Sequence, residues 1–546
     1  MEKAIRFILI SLALGMVSAT VNHTALAKKE VKLIGAEEGN NHTHLTADII
    51  GDTVIIASRG AGTATIYVND GKVWKKQEDL QARDHNARDP FVPGYAHSVA
   101  IGAPHEFATP NFAIIGAPKH LHGGDNLKGL DGPQGFGAAY IFRRSGKTWK
   151  EQIRLFAPDP ADEDRFGESV SIYRTTAVVG SSKDDDNGKN SGSVFVYVLD
   201  GTTWKPQAKI VPDDLAGSDA FGEAVSIDEN TLAVGAPGHT HSGVRFAGAV
   251  YIYVREGGKW KQQAKLTAED PGKASQFGSN ISLTFNTVVV GAPLHDTERG
   301  RDAGAAYIFV RNGDRWKQQA KLVSRDTKAG DRFGTGVATT GKSAIVGAPF
   351  RPEGAPGSGA AYSFVSVDGK WEEKEKITPD DAGQKINYGL WVAMSGNMVI
   401  VSSYAAPNEG GAEKGIGTAA YVYNSVDDFG VLPFAVEPFG LNLTTLGSVK
   451  RTALLQNFPN PFNPETWMPY RLASDVPVSI QIFNLQGQLL RYLNLGDQKA
   501  GSYLTRDTAA HWDGKDQLGE TVSSGVYFYT LQAGAFQTTR RMLVLK

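Results

Sequence analysis

The sequence contains no cysteine. Disulfide staples are excluded, so the fold must stand on its own sheets, and both a thiol nucleophile and a lipid-modified cysteine anchor are ruled out. After the first thirty residues no apolar run approaches the ~18 residues a membrane helix needs. No block of Lys or Arg is long enough to track phosphates, and formal net charge is only −2, which argues against a nucleic-acid partner. Catalytic signatures are missing as well: there is no G-x-S-x-G elbow, no H-E-x-x-H and no P-loop. What remains is ordinary for folded protein, with 41% hydrophobic and 21% charged residues, and 546 residues suggest two or more domains. Glycine is plentiful at 62 residues, as turn-rich β proteins require.

The N-terminus reads as an export signal over residues 1–27. Lys3 and Arg6 precede the apolar stretch Phe7 to Val17, and Ala25-Leu26-Ala27 offers a cleavage site, with cleavage after Ala19 or an uncleaved anchor as alternatives.

The dominant feature is a repeat. Phe-Gly pairs stand at Phe166-Gly167, Phe221-Gly222, Phe277-Gly278 and Phe333-Gly334, with Tyr388-Gly389 in the same role; tryptophan keeps the same beat at Trp149, Trp204, Trp260, Trp316 and Trp371. Each unit reads as four short strands. In the unit at Phe221 these are Ala224 to Ile227, Leu232 to Gly235 (ending in Gly-Ala-Pro), Ala249 to Val254 and Trp260 to Leu266. Four strands per unit of ~55 residues, without helical periodicity, describe a propeller blade. Third strands begin near Gly62, Gly137, Gly192, Gly248, Gly304, Gly359 and Gly417, so seven blades are expected over residues 28–425. The last unit lacks a Trp-bearing fourth strand, while Val31-Lys32-Leu33 resembles Ala264-Lys265-Leu266; the N-terminal strand is therefore expected to complete the last blade and remove the open edges. The second unit is longer than the others, with its surplus around Gly102-Ala103-Pro104 and the loop His120 to Gln134.

Phe-Gly followed by Gly-Ala-Pro resembles the FG-GAP repeat of integrin α-subunit propellers and, more closely, of bacterial FG-GAP repeat proteins. The resemblance implies a propeller acting as a binding module. Integrin-type repeats hold calcium in a D-x-D-x-D-G loop between the first two strands. Here that link is a short turn such as Asp228 to Thr231, so the calcium site does not carry over.

From Asn457 the rhythm changes. Asn457-Phe458-Pro459-Asn460-Pro461-Phe462-Asn463-Pro464 suits neither helix nor central strand. Alternating strands follow, suggesting a small immunoglobulin-like sandwich over 457–546, with 426–456 as linker. The NFPNPFNP stretch, Trp512-Asp513-Gly514, Ser524-Gly525-Val526-Tyr527 and the basic-apolar tail resemble type IX secretion sorting domains and the immunoglobulin-like domain of hook-capping proteins. That resemblance implies a secretion-machinery partner; a plain accessory domain is the alternative.

Three residue sets are candidates for chemistry. An acid follows every fourth strand: Glu37, Asp84, Asp159, Asp214, Asp270, Asp326 and Asp381. It is read as an acceptor for backbone N–H groups of the next turn, with a collective cation role as the alternative. Asp184-Asp185-Asp186-Asn187 is oxygen-rich, as a divalent cation prefers, although its spacing is not that of a calcium loop and a solvated turn is the competing reading. His120, His122, His239, His241 and His295 lie in the second-to-third-strand loops, where a ligand face, a transition metal or ordinary loop histidines are the readings, and His105, at the start of the long loop to Gln134, joins them as a ligand-face candidate. The Trp series is read as packing.

The chain is accordingly expected to be all-β, a seven-bladed propeller of four-stranded blades followed by an immunoglobulin-like sandwich. Its expected role is exported, non-catalytic binding of an extracellular protein or glycan. The loop His105 to Gln134 is the preferred asymmetric element. A secreted hydrolase or lyase acting on polysaccharide through His120, His122 or the acidic turns is the alternative, and a purely structural envelope component is the third reading.

Overall fold

The computed structural model describes residues 30–424 and 452–544, except 35–44, 59–61, 71–72, 83–94, 104–110, 121–135, 353–356, 380–385, 397, 404–418, 456, 458–464, 485–486, 504–507, 518 and 535. The chain forms two compact units, Met1–Tyr67 with Lys76–Pro433, and Phe434–Lys546 grouped with Val68–Lys75.

The first unit consists of seven four-stranded antiparallel sheets. The fourth blade is representative, with strands Val225–Asp228, Thr231–Ala236, Ala249–Glu256 and Lys259–Leu266. Its second strand is buried along its whole length, whereas the fourth alternates toward solvent, so the sheet runs from interior to rim. The first strands of the seven blades touch in succession and close on themselves, the first blade's meeting the seventh's. Side chains at one position of these inner strands stitch neighbours together. Ile227 N donates to Ser171 Oγ (3.2 Å), Leu283 N to Ser226 Oγ (3.0 Å) and Thr339 N to Ser282 Oγ (3.1 Å). In the first blade Asp48 takes this place, accepting from Ile101 N at 2.9 Å; burial pushes its carboxyl up to about 6.

Glu30–Ile34 pairs antiparallel with Ala419–Asn424, so the seventh sheet is built from both ends of the unit.

The Phe-Gly and Gly-Ala-Pro elements have one physical explanation. Gly222 N donates to Gly235 O of the same blade at 2.9 Å, and Gly235 in turn presses on the next blade's Gly278. A Cβ on Gly235 would lie 2.0 Å from the Gly278 carbonyl oxygen, while Gly222 has φ +92°. Phe221 is fully buried beside them, edge-on to Tyr251 at 5.4 Å. Backbone contact between blades demands the glycines, and the ring fills the wedge.

The second blade departs from the pattern. Its first hairpin joins Ser98–Gly102 to Phe112–Ala117, so Gly102-Ala103-Pro104 follows a first strand rather than a second. Tyr95-Ala96 replaces Phe-Gly here: Tyr95 is 1% exposed, lies edge-on to Tyr140 at 5.2 Å, and Ala96 has φ 61°.

The second unit has a four-stranded sheet in the order Leu489–Gln498, Val476–Phe483, Gly525–Ala533, Phe536–Val544, together with three- and two-stranded sheets. All contribute to one core around Trp512, Tyr470, Ile480 and Tyr529. Asn457 is buried there: its N–H donates to Tyr529 Oη (2.7 Å) and its amide to Thr466 Oγ1 (2.9 Å).

Candidate functional site

Antiparallel order places the fourth-to-first and second-to-third-strand loops on one face of the propeller, where the described members of the three candidate sets lie; His105, expected there too, instead falls in sequence between the first and second strands of its blade. There the acids meet the following blade. Asp214 accepts from Tyr251 Oη (3.1 Å) and Lys265 Nζ (2.7 Å), both of the fourth blade. Asp270 accepts likewise from Tyr307 (3.0 Å) and Lys321 of the fifth. Asp326 accepts from Tyr362 (2.8 Å) and Lys376 (2.9 Å) of the sixth. Asp159 pairs with Lys209 at 2.8 Å. Each lysine also lies over an aromatic ring, as Lys265 does over Tyr251 at 5.1 Å and Lys209 over Phe195 at 5.3 Å.

The turn-acceptor reading of the acid series needs correction: Asp214, Asp270 and Asp326 bind side chains across the blade seam. Three donors hold the Asp326 carboxyl at about 2 despite burial. Backbone acceptance belongs to a different aspartate, two residues before Phe-Gly. Asp219 accepts from Ala216 N (3.0 Å), Asp164 from Ala161 N (2.7 Å) and Asp331 from Lys328 N (2.8 Å). Glu37, Asp84 and Asp381 lie outside the described residues.

The histidines join the same seams. His239 is buried, with Nδ1 2.6 Å from Asp219 and Nε2 2.6 Å from Lys265 Nζ. An ammonium only donates, so Nε2 must be the unprotonated acceptor and Nδ1–H the donor to Asp219. His295 is buried in the same way between Ser275 Oγ (3.1 Å) and Lys321 Nζ (2.9 Å); burial and Lys321 depress its basicity. His120 lies buried beside Tyr140 Oη at 3.2 Å. The sixth blade puts Arg351 at this place, paired with Asp331 at 2.9 Å and Asp326 at 3.2 Å. These buried rings are therefore no exposed ligand face, and the lone pairs on His239 and His295 that a metal would need already accept from lysine. His241 is partly exposed beside Ser242 (3.1 Å), and its basicity is lowered by partial burial and Lys265; His105 and His122 lie outside the described residues.

The third blade puts Asp184 where others have histidine. Lys209 Nζ stands 2.9 Å from Asp184, 2.7 Å from Asp186 and 2.8 Å from Asp159. A tethered ammonium thus occupies the place a divalent cation would take. Asp185 accepts from Asn190 N (2.6 Å), and the Asn187 amide donates to Pro212 O (2.8 Å). Among the described residues no group of three His, Asp or Glu side chains is placed to hold a metal ion. Burial, reinforced by Asp184 and Asp185, raises the nearby Asp164 carboxyl to about 6.

At the rim the tryptophans form a belt. Trp204, Trp260, Trp316 and Trp371 donate Nε1–H to Gln152, Gln207, Gln263 and Gln319 of the preceding blade at 2.8–3.1 Å. Residues that sequence reasoning missed are Tyr95, Arg351, the Asp219 series and these glutamines. The glutamines do recur at a fixed offset before Lys209, Lys265 and Lys321, a signal that was available.

Five stretches, residues 149–197, 204–253, 260–309, 316–364 and 371–423, match the FG-GAP repeat family. Each begins at a Trp-bearing fourth strand and ends in the third strand of the next blade. Integrin alpha-6 of Gallus gallus is 30% identical over 147 residues, covering 26% of this chain and 13% of that protein. Integrin alpha-6 of Homo sapiens is 29% identical over 147 residues, covering 26% and 12%. The match therefore spans a small fraction of those relatives' length. A chain in the crystal structure of a mitotic checkpoint complex is similar at TM-score 0.40 and 11% identity, over 72% of this chain and 99% of that one, a likeness too loose to carry an argument. The first unit is a β-propeller of FG-GAP repeats. No helix among the described residues is long and apolar enough to cross a membrane.

Proposed function

We propose that this protein is exported and acts at the cell surface or outside the cell as a non-catalytic binding module. The propeller's loop face is its platform, a protein or glycan its ligand, and the C-terminal unit serves export or attachment as an immunoglobulin-like sorting domain. One observation carries the reading: the recurring polar residues are used up in joining blades, while the loops above them differ from blade to blade. Gly238 to Ala247, Leu294 to Ala303 and Lys183 to Ser191 share a backbone role and little sequence. A rigid frame with unlike loops is how binding scaffolds are built. The FG-GAP likeness to integrin α subunits points the same way.

The test is capture of the full chain on arrays of extracellular-matrix proteins and glycans. Saturable capture is expected, weakened at least about tenfold by Arg245→Ala with Arg299→Ala on the loop face and unchanged by Phe285→Ala on the opposite face. Turnover of a polysaccharide panel, or capture lost only with Phe285→Ala, would overturn it.

A further inference from the structure

The second-to-third-strand loops of the third, fourth and fifth blades agree in charge at one place. Three residues before the glycine that precedes each third strand stand Lys189, Arg245 and Arg301, all basic and all exposed. Their backbone is fixed. Lys189 O accepts from Ser218 N (2.8 Å), Arg245 O from Ala274 N (3.0 Å) and Arg301 O from Gly330 N (2.9 Å), each donor lying in the turn that leads to the next blade. A second bond beside it, such as Gln276 N to Phe246 O at 3.3 Å, clamps the left-handed residue that follows, φ 53° at Phe246. Successive blades thus carry one cation each on a rigid crest.

The seam lysines recur because they join blades; these three cations join nothing. Lys189 forms no ion pair among the described residues, and Arg245 lies over its own neighbour Phe246 at 5.4 Å. The Arg301 side chain is 86% exposed, with Asp302 3.6 Å away, a contact worth little in water. Acids of the same loops are engaged elsewhere. Lys209 takes Asp184 and Asp186, Asn190 N–H takes Asp185 (2.6 Å), and Asp302 N–H takes Asp296 (2.8 Å), which leaves Glu298 exposed. Further exposed cations extend the arc toward the sixth blade: Lys273, Arg299, Lys328 and Arg332, the last over Phe350 at 4.7 Å. A charge that recurs, faces water and stabilises nothing in the fold points to a partner outside it.

We propose that this arc binds a linear acidic polysaccharide, with Lys189, Arg245 and Arg301 contacting carboxylates spaced along one chain. The inference deepens the binding reading above and rests on it. A small anion would need donors that converge, whereas these are spread one per blade. Duplex nucleic acid needs a denser cationic track than a chain of net charge −2 presents here. An acidic peptide would have to be ordered on binding, a cost that a stiff sugar chain largely avoids. Guanidinium forks match carboxylates, and the exposed rings of Phe246 and Phe350 offer apolar faces to pyranose rings.

The experiment measures binding of the full-length protein to immobilised alginate, a linear polyuronate, beside neutral dextran, poly-glutamate and duplex DNA. Expected are saturable binding to alginate, none to dextran, weaker binding to the other two, and a loss of affinity as added salt screens the exposed charges. Lys189→Ala, Arg245→Ala and Arg301→Ala together should weaken alginate binding about tenfold, three exposed ion pairs each contributing modestly; each single substitution should give a smaller loss. Lys205→Ala, Lys261→Ala and Lys317→Ala together make the same change of charge at exposed positions of the outer strands and should leave binding unchanged. No binding to alginate, equal losses in the two triple variants, or tighter binding of poly-glutamate or DNA overturns the proposal. If alginate fails while array capture persists, only the polysaccharide is refuted; if capture is also absent, the binding reading falls with it.

Discussion

Between the fourth and fifth blades the Trp316 indole donates to Gln263 at 2.8 Å, whereas between the seventh and first the Trp74 indole is buried with no acceptor among the described residues. The difference begins in the outer strand. Counting back two residues from the ring-stacked lysine reaches Gln263 from Lys265 but Glu30 from Lys32. The Glu30 carboxylate accepts from Tyr423 Oη at 3.0 Å, and Tyr423 accepts from Tyr388 Oη at 2.5 Å. Tyrosine in place of phenylalanine before Gly389 thus adds a hydroxyl to a chain that reaches the N-terminal strand. Within the ordinary seams, bonds run between blades; in the closing blade they run between the two ends of the unit. A repeat tells which residues recur, and the exceptions tell where the ring is joined.

Breaking an ordinary seam should have the largest effect. Asp331→Ala leaves the buried Arg351 guanidinium short of a partner and the Lys328 amide without its acceptor, and should cost about 3 kcal/mol of propeller stability in urea unfolding. A cost within error of zero would mean that the Asp331 contacts contribute nothing to holding Arg351. A smaller effect sharpens the comparison of the two seams. Trp316→Phe should cost about 1 kcal/mol more than Trp74→Phe, because only the first loses an indole hydrogen bond. Equal costs would show that the belt contributes packing alone.

The repeating sheets were legible because the Phe-Gly and Gly-Ala-Pro glycines answer to backbone contacts that every blade must make. Tyr95-Ala96 escaped notice because neither letter matched and an extended first hairpin displaced the count. The acid series was visible as a beat, but its donors were not: Tyr251 and Lys265 lie 37 and 51 residues beyond Asp214, on strands that meet it only once blades stand side by side. His239 and His295 looked like surface residues for the same reason, since burial beneath the loops is a property of the seam and not of the local sequence. Likewise, nothing around Asp184 announces that Lys209, from the blade's last strand, will lie among its carboxylates.

The central claim is that the recurring Asp, Lys, Tyr and His residues join blades and hold no metal. Its most direct test is a thermal melt of the intact chain, stripped with chelator and then titrated separately with calcium and zinc. Because an ion that binds only the folded state raises its melting temperature by mass action, a melting temperature that stays constant across both titrations is the expected result. A saturable rise, abolished by Asp184→Asn for calcium or by His239→Gln for zinc, would contradict it.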